Sequence, residues 1–364
     1  RRPPRSTLFP YTTLFRSILS AVSKRHTKAV NRCELMTLVI GIDEAGYGPN
    51  LGPLVIGSSS WQIDELQCDH LSTKVADQFI QLQNDIHDDY RAGRGPPWGD
   101  SKKIFTRKGT KSETLEPLER GVFAAVQIAT NTLPETSDRL LSLLALQSPD
   151  DAELGCWKKL NAVTLPLATK VPHAIQQAEQ AAKQLRTHAI RLTGLACRWI
   201  FPETFNAALD TGMNKSDILS QASLQLAFDL RNQHPHMPAV IWCDRHGGRK
   251  RYAGVVSHCF DAARVEPLSE TARCSRYRIH DGERPTFIHF TVGGESQLPV
   301  AVASMTAKYT RELAMDVFNS FWTDCIPSLQ PTAGYPVDAR RWWHETEKDR
   351  HRMSISDDVL WRKS

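Results

Sequence analysis

The sequence predicts an α/β protein with a mixed central sheet flanked by helices. Two apolar runs, Thr37–Asp43 and Pro53–Trp61, are joined by a short connection rich in glycine and proline, which is the pattern of a β-hairpin. A third run, Ala239–Asp244, is continuously apolar up to its last residue, as expected of a strand buried on both faces. Because helical patterns separate this strand from the hairpin, the two element types are interleaved, which favours a mixed sheet.

The other elements follow from composition and periodicity. Residues 62–98 are polar and weakly helical and end in a loop rich in glycine and proline. Helices are predicted after this loop at about Glu113–Ala129 and at Ser216–Asn232. Leu195–Pro202 is a strand candidate, and so are the later segments SRYRIHD and TFIHFTV.

A long helix is predicted after Glu295, because apolar and small residues recur there at spacings of three and four. They are Val300, Ala303, Ala307, Thr310, Ala314, Val317 and Phe321. Ser296 is the predicted N-cap of this helix, and Pro299 lies in its first turn, where proline is tolerated.

One region is predicted to be a helical insertion, at roughly 132–192. A buried stripe recurs in it at helical spacing, formed by Ile175, Ala178, Ala182, Leu185 and Ala189. This region contains no catalytic or ligand-binding motif, so we expect its helices to pack against the single domain of the protein. That domain runs from Met36 to about residue 350, and residues 351–364 are predicted to be a C-terminal tail.

The net charge of +5 is unevenly distributed. Residues 1–35 contain eight Lys and Arg against one Glu, a net of 8 − 1 = +7, so the remainder carries 5 − 7 = −2. This segment has neither helical nor strand periodicity, and we expect a non-native or disordered extension, with Met36 as the natural start. The alternative is a basic targeting arm. The bulk charge therefore gives no argument for a polyanionic partner.

The eight cysteines are scattered and form no CxxC pair. This argues against a zinc ribbon or a disulfide scaffold and fits a reducing compartment, so we expect a cytoplasmic protein. No run of 18 or more apolar residues exists in the sequence, which argues against a membrane span.

Four carboxylates share one topological feature, a position where a strand ends or a helix begins. Asp43 and Glu44 end the first strand, Asp244 ends the buried strand, and Glu295 precedes the long helix. Loops at strand ends are where an α/β protein brings polar groups to one site. Because clustered carboxylates repel one another, such a site favours Mg²⁺ or Mn²⁺, and two such ions could promote a phosphodiester displacement.

Each of these carboxylates also has an ordinary structural interpretation. An Asp-Glu pair at a strand end is commonly a solvated turn, and a lone Asp after an apolar run is commonly a cap. A Glu before a helix commonly interacts with the helix dipole. Taken alone, none of the four positions is specific evidence for a metal site.

Six stretches, in order along the chain, resemble the ribonuclease HII family. They are GIDEAGYGPNLGPLVIG, GDSKKIF, WIFPETFNAALDTGMNKSDILSQASLQLAF, VIWCD, VAVASMTAKYTREL and TAGYPVDARRWW. The resemblance implies an RNase H-like fold, and a nuclease that cleaves the RNA strand of RNA–DNA hybrids or ribonucleotides embedded in duplex DNA. It also implies that Asp43, Glu44 and Asp244 bind metal. Glu295 stands where the family has an aspartate.

The resemblance further implies which residues contact the substrate. Lys102 and Lys103 would approach backbone phosphates, and Tyr335 would pack against a sugar. The alternative for Tyr335 is a half-buried tyrosine that packs within the fold. The turn Gly46-Tyr47-Gly48 keeps the glycines that let backbone N–H groups approach a 2′-hydroxyl. Tyr47 replaces the family's arginine. It could contact the substrate by stacking or by donating one hydrogen bond, but it cannot supply a guanidinium fork, so this turn does not imply a preference for single ribonucleotides.

A basic loop, DRHGGRKRYAG, follows Asp244 directly. Its Arg249 is a candidate phosphate contact, and a solvated loop is the alternative. His246 in the same loop could transfer a proton to the leaving oxygen.

Two other functions remain compatible with these residues. One is a nuclease of the same fold that acts on long hybrid tracts or branched nucleic acid. The other is a non-catalytic nucleic-acid binder, although all four positions remain acidic.

Overall fold

The computed structural model describes six ranges of the chain, which are 36–64, 71–104, 110–144, 155–262, 264–280 and 284–363. Residues 1–35, the predicted extension, lie outside these ranges, as do residues 145–154 of the predicted insertion.

Within the described residues, seven strands form one mixed sheet. They are β1 (Met36–Ala45), β2 (Leu54–Asp64), β3 (Ile190–Ile200), β4 (Ala239–Asp244), β5 (Arg264–Glu270), β6 (Cys274–His280) and β7 (Thr286–Thr291). Their order is β3-β2-β1-β4-β7-β6-β5. The first three are antiparallel, β4 and β7 run parallel to β1, and β5 and β6 are added antiparallel to one another. The predicted mixed sheet and its hairpin are confirmed.

Helices cover the two faces of this sheet. They are α1 (Leu71–Arg91), α2 (Ser101–Ile104), α3 (Lys111–Thr130), α4 (Ser137–Leu144), α5 (Val171–Thr187), α6 (Pro202–Asp210), α7 (Lys215–Asn232), α8 (Ala253–Cys259), α9 (Leu298–Cys325), α10 (Pro336–Glu345), α11 (Glu347–Arg352) and α12 (Asp357–Leu360). Helices α1, α3 and α9 share one hydrophobic core, and α7 and α8 share the other. Alternate residues of β1 enter the two cores, with Val39 in the first and Ile40 in the second.

Strand β5 and the start of helix α9 are among the elements that differ from the sequence prediction. Strand β5 is not predicted, because its exposed edge position leaves a charged, proline-containing segment without an apolar alternation. Helix α9 begins at Leu298 with Gln297 as N-cap, and Ser296 instead ends a short 3₁₀ turn, Gly294–Ser296. The predicted N-cap is therefore wrong.

Helix α9 lies directly on β1 and β2 because two strand glycines leave room for its backbone. A Cβ atom at Gly41 would lie 2.2 Å from the carbonyl of Pro299, and one at Gly57 would lie 2.3 Å from the carbonyl oxygen of Ala303. The hydroxyl of Ser59 donates to the Pro299 carbonyl at 2.7 Å. These contacts fix the start of α9 beside the end of β1.

The predicted insertion region contains α4, a 3₁₀ turn at Gly155–Ala162, and α5. Its predicted stripe is partly shifted: Ala178 and Leu185 are buried, whereas Ala189 is exposed and follows the helix. Buried Glu119 of α3 ties this region to the core. Its carboxylate accepts the backbone N–H groups of residues 167–169 at 2.6 to 2.7 Å and the hydroxyl of Tyr309 at 2.7 Å.

The expectation of a C-terminal tail after residue 350 is wrong for its described part, residues 351–363. Leu360 and Arg362 are 0% and 1% exposed, and Trp361 forms a β-bridge with Leu51. The side-chain amide of Asn206 donates to the carbonyl of Trp361 at 2.8 Å. Burial of this kind could not be read from a short polar segment with no periodicity.

Candidate active site

The four predicted carboxylates lie at one edge of the sheet. Strands β1, β4 and β7 are parallel, so their carboxyl ends meet there. Ile42 pairs with Cys243, which places Asp43 beside Asp244. Glu295 enters from the 3₁₀ turn that follows β7, and the N–H of the preceding Gly294 donates to Asp244 Oδ1 at 2.8 Å.

Burial and mutual repulsion make this edge unfavourable for several negative charges. Asp43 is 5% exposed, and its Oδ1 accepts the backbone N–H of Glu44 at 2.8 Å. Desolvation, followed by the charges of Glu44, Asp244 and Glu295, raises the pKa of Asp43 well above its usual range. Desolvation and the charge of Asp244 raise the pKa of Glu44 to about 7. The site therefore favours protons or cations.

Two serine hydroxyls orient Glu295. Ser101 of α2 and Ser304 of α9 approach its Oε1 at 3.1 and 2.5 Å, and their own oxygens are 3.0 Å apart. Desolvation raises the pKa of Glu295, and so does a hydrogen bond that its protonated form donates to Asp100. Asp100 and both serines belong to the family-like motifs GDSKKIF and VAVASMTAKYTREL, but their role depends on the packing of α2 against α9, which no local pattern shows.

Lys102 supplies positive charge at the same edge. Burial acts to lower its pKa, but the carboxylates of Glu295, Asp43 and Asp244 outweigh that effect and raise it. Its ammonium is thus held in the charged form next to the acidic site. Lys103 belongs to α2, and its side chain lies outside the described part of the chain.

The donor chemistry of the four carboxylates fits a divalent cation, since carboxylate oxygens are the ligands that Mg²⁺ and Mn²⁺ prefer. A cation would also offset the repulsion that raises the pKa values of Asp43 and Glu44. Within the described residues, however, no group of three or more His, Cys, Asp or Glu side chains is arranged so that it could hold a metal ion as it stands. Oxygens of Asp43, Asp244 and Glu295 accept hydrogen bonds from the protein instead.

A cleft opens beside the acidic edge. It is lined by residues of α1, of the loop before α2, and of the turn after β7, including Tyr90, Trp98, Asp100, Lys102, Asp244 and Glu295. Tyr90 is 41% exposed, whereas Trp98 is buried and donates to the Gly121 carbonyl at 2.8 Å. Sequence reasoning missed the contribution of α1, because a weakly helical polar segment gives no indication of what it faces.

The glycine turn that follows β1 is supported from beneath by two buried arginines. Gly46 has a φ of +87°, and a Cβ atom there would lie 2.4 Å from Nε of Arg311. Arg311 donates to the Leu51 carbonyl at 3.3 Å, and Arg362 donates to the carbonyls of Gly46 and Pro49. Desolvation and the charge of Arg311 lower the pKa of Arg362 to about 9.

Both predicted substrate-contacting tyrosines lie at this turn. Tyr335 is 46% exposed, and a Cβ atom at Gly48 would lie 3.7 Å from its ring. The carbonyl of the preceding Gly334 accepts the Asn50 N–H at 2.8 Å, which fixes Tyr335 beside the turn. Tyr47 is partly buried, and desolvation together with the charge of Glu44 raises its pKa.

Arg249 is engaged by the start of α7. It pairs with Asp217 and approaches the Ser216 hydroxyl at 3.4 Å, and its side chain is 22% exposed. The structure thus shows Arg249 as an anchor of the basic loop, and its predicted phosphate contact stays a prediction.

His246 is a core residue, so a proton transfer from it to the leaving oxygen is not supported. It is 1% exposed, packs edge-on against Tyr252 and Phe290, and has Nδ1 3.1 Å from the Ser220 hydroxyl. Desolvation and the charge of Arg249 lower the pKa of His246 to about 3.

Replacing His246 with phenylalanine is expected to weaken the pH dependence of stability. Below about pH 6.5 the unfolded chain binds a proton at this position and the folded chain does not, so stability falls as pH falls. His246→Phe should reduce the slope of unfolding free energy against pH by about 1.4 kcal/mol per unit between about pH 4 and pH 6, measured by urea unfolding. Replacing the exposed His236 is the control. An unchanged slope in His246→Phe would contradict the expectation.

Comparison with known proteins identifies structural neighbours. No protein-family model matches the sequence, and no curated protein matches it. The chain is similar to solved structures of ribonucleases HII and HIII. One is RNase HII of Archaeoglobus fulgidus in complex with PCNA, at 13% identity and a TM-score of 0.38, over 89% of this chain and 93% of that one. Another is ribonuclease H2 of Pyrococcus horikoshii OT3, at 14% and 0.41, over 89% and 92%.

A third similar structure is Bst-RNase HIII in complex with Mn²⁺, at 14% identity and a TM-score of 0.39, over 94% of this chain and 72% of that one. The predicted mixed central sheet flanked by helices is confirmed by the strands and helices of the chain itself. None of the described helices is both long and apolar enough to cross a membrane.

Proposed function

We propose that this protein is a metal-dependent endoribonuclease of the RNase H type. Its substrates would be the RNA strand of RNA–DNA hybrids or ribonucleotides embedded in duplex DNA. The observation that carries the proposal is the meeting of Asp43, Glu44, Asp244 and Glu295 at the ends of adjacent parallel strands, with Lys102 beside them. The ordered series of family-like motifs in the sequence supports the same reaction.

In this mechanism the four carboxylates would hold Mg²⁺ or Mn²⁺, which when bound supplies the activation of water and the stabilisation of the leaving oxygen. Ser101 and Ser304 orient Glu295 towards the site. Lys102 binds a backbone phosphate next to the scissile bond. The products would carry 3′-hydroxyl and 5′-phosphate ends.

The glycine turn would recognise the ribose. Gly46 and Gly48 allow the backbone to approach a strand closely, so that N–H groups can meet a 2′-hydroxyl, the group that distinguishes RNA from DNA. The exposed ring of Tyr335 lies beside this turn, where it could pack against a sugar.

Cleavage-site mapping tests the proposal. One labelled duplex would contain a single ribonucleotide within DNA, and a second would contain a continuous RNA strand paired with DNA, each assayed with Mg²⁺ and with Mn²⁺. We expect cleavage at ribonucleotides only, with 3′-hydroxyl ends. If neither duplex is cleaved with either metal, the proposal is overturned and the non-catalytic nucleic-acid binder is favoured. Calorimetry that detects no binding of Mn²⁺ to the protein would support that second interpretation.

A related nuclease with another substrate is the second candidate. Tyr47 occupies the centre of the glycine turn and brings no charge to it, so contacts at a single ribonucleotide could be weaker than those spread along a tract. Cleavage of the continuous hybrid at a rate equal to or faster than that of the duplex with a single ribonucleotide would favour this candidate.

A further inference from the structure

Tyr47 is held between a cation and a backbone turn. The ammonium of Lys215, the first residue of α7, lies over the Tyr47 ring, 5.1 Å from its centroid. On another side, the turn at Gly247 packs against the ring, since a Cβ atom at Gly247 would lie 3.4 Å from the Tyr47 hydroxyl, an ordinary van der Waals distance. The tyrosine therefore fixes the position of a lysine at the glycine turn.

The surroundings of Lys215 are positively charged. The nearest carboxylate along the helix, Asp217, pairs with Arg249. Within the described part of the chain, Lys215 itself makes no ion pair, and desolvation followed by the charge of buried Arg362 lowers its pKa. Arg362 in turn donates to backbone carbonyls of the turn rather than to a carboxylate. An anion bound next to Lys215 would relieve the repulsion between Lys215 and Arg362.

Lys215 lies next to the acidic edge but is not one of the residues that form it. Tyr47 is only three residues beyond Glu44, and the charge of Glu44 acts on the Tyr47 hydroxyl. A strand whose scissile phosphate sits at the carboxylates must pass the glycine turn, so its adjoining phosphates come near the face of Tyr47 that Lys215 covers. Lysine acts on phosphate as a point charge, which suits a contact that positions the backbone without reading sequence.

We propose that Lys215, seated on the ring of Tyr47, is a phosphate-binding residue for the nucleic-acid backbone beside the active site. This inference rests on the proposed function, because the ligand is the phosphodiester chain of the same substrate. It assigns to Tyr47 the role of holding the lysine in place.

The test is the salt dependence of binding to an RNA–DNA hybrid, measured by fluorescence anisotropy in EDTA so that no cleavage is needed. We expect Lys215→Gln to weaken binding about 3- to 10-fold and to lower the slope of log Kd against log salt by about 0.9, the value for one lost phosphate contact. Lys215→Arg should keep the slope. In a Tyr47→Leu protein, Lys215→Gln should change the slope less, because the lysine is no longer held.

Lys183→Gln provides the matched control, since Lys183 is exposed on α5 and α5 carries none of the site residues. If Lys215→Gln keeps the wild-type slope while the wild type binds and cleaves the hybrid, the inference about Lys215 is overturned and the proposed function stands. If the wild type neither binds nor cleaves the hybrid, both are overturned.

Discussion

Replacing Asp43 with asparagine is expected to reduce metal-dependent cleavage by on the order of 10³-fold or more while the fold stays intact. Asp43 lies at the centre of the acidic edge, where the charges of Glu44, Asp244 and Glu295 act on it. Asparagine removes the charge that would bind a cation but keeps the shape of the side chain, and its oxygen can still accept the Glu44 N–H.

The same variant should not be less stable than the wild type in EDTA. Because the pKa of Asp43 is raised in the folded state, its contribution is favourable at low pH and is lost as pH rises through the folded pKa. Asparagine stays neutral, so the difference in melting temperature should increasingly favour Asp43→Asn as the pH is raised above about 4, the ordinary pKa of an aspartate.

The control for this prediction is Asp64→Asn. Asp64 ends β2, where it forms an exposed ion pair with Arg191 at 2.7 Å. Its replacement should have no effect on cleavage. Wild-type cleavage rates in Asp43→Asn, measured with Mg²⁺ and with Mn²⁺, would rule out the proposed metal site.

Ending the chain at Met353 is expected to have the second-largest effect, destabilising the protein by about 5 kcal/mol and lowering its melting temperature by about 10 °C. The truncation removes Leu360, which is fully buried, and Arg362, whose guanidinium donates to the carbonyls of Gly46 and Pro49. Carbonyls left without a donor in a buried turn are costly. Since that turn follows Glu44 directly, cleavage should fall as well.

Two variants separate the contributions. Arg362→Met keeps most of the buried volume and removes only the donors, so it should cost about 1–3 kcal/mol. Lys363→Gln removes only partly exposed pairs, with Asp210 at 3.1 Å and Asp358 at 3.4 Å, and should keep the wild-type melting temperature. A truncated chain with wild-type melting temperature and wild-type cleavage would show that the C-terminal segment does not support the turn.

The sequence by itself predicts the elements whose signals are local. The hairpin of β1 and β2, the buried strand β4, and the helices α3, α7 and α9 all follow from runs and periodicities within about 30 residues. The carboxylates at strand ends are also visible, because a charge after an apolar run is a local feature. What they do together is not visible in this way.

The tertiary structure alone decides what depends on distant pairing and burial. Asp43 and Asp244 are 201 positions apart and become neighbours through the parallel pairing of β1 with β4. His246 is a buried core residue. Arg362, which lies in the predicted tail, is buried and donates a hydrogen bond to the Gly46 carbonyl. Lys215 reaches the face of Tyr47 only because α7 packs beside the glycine turn. The reason is physical: periodicity encodes which face of an element is apolar, whereas the partner of that face is set by packing of the whole chain.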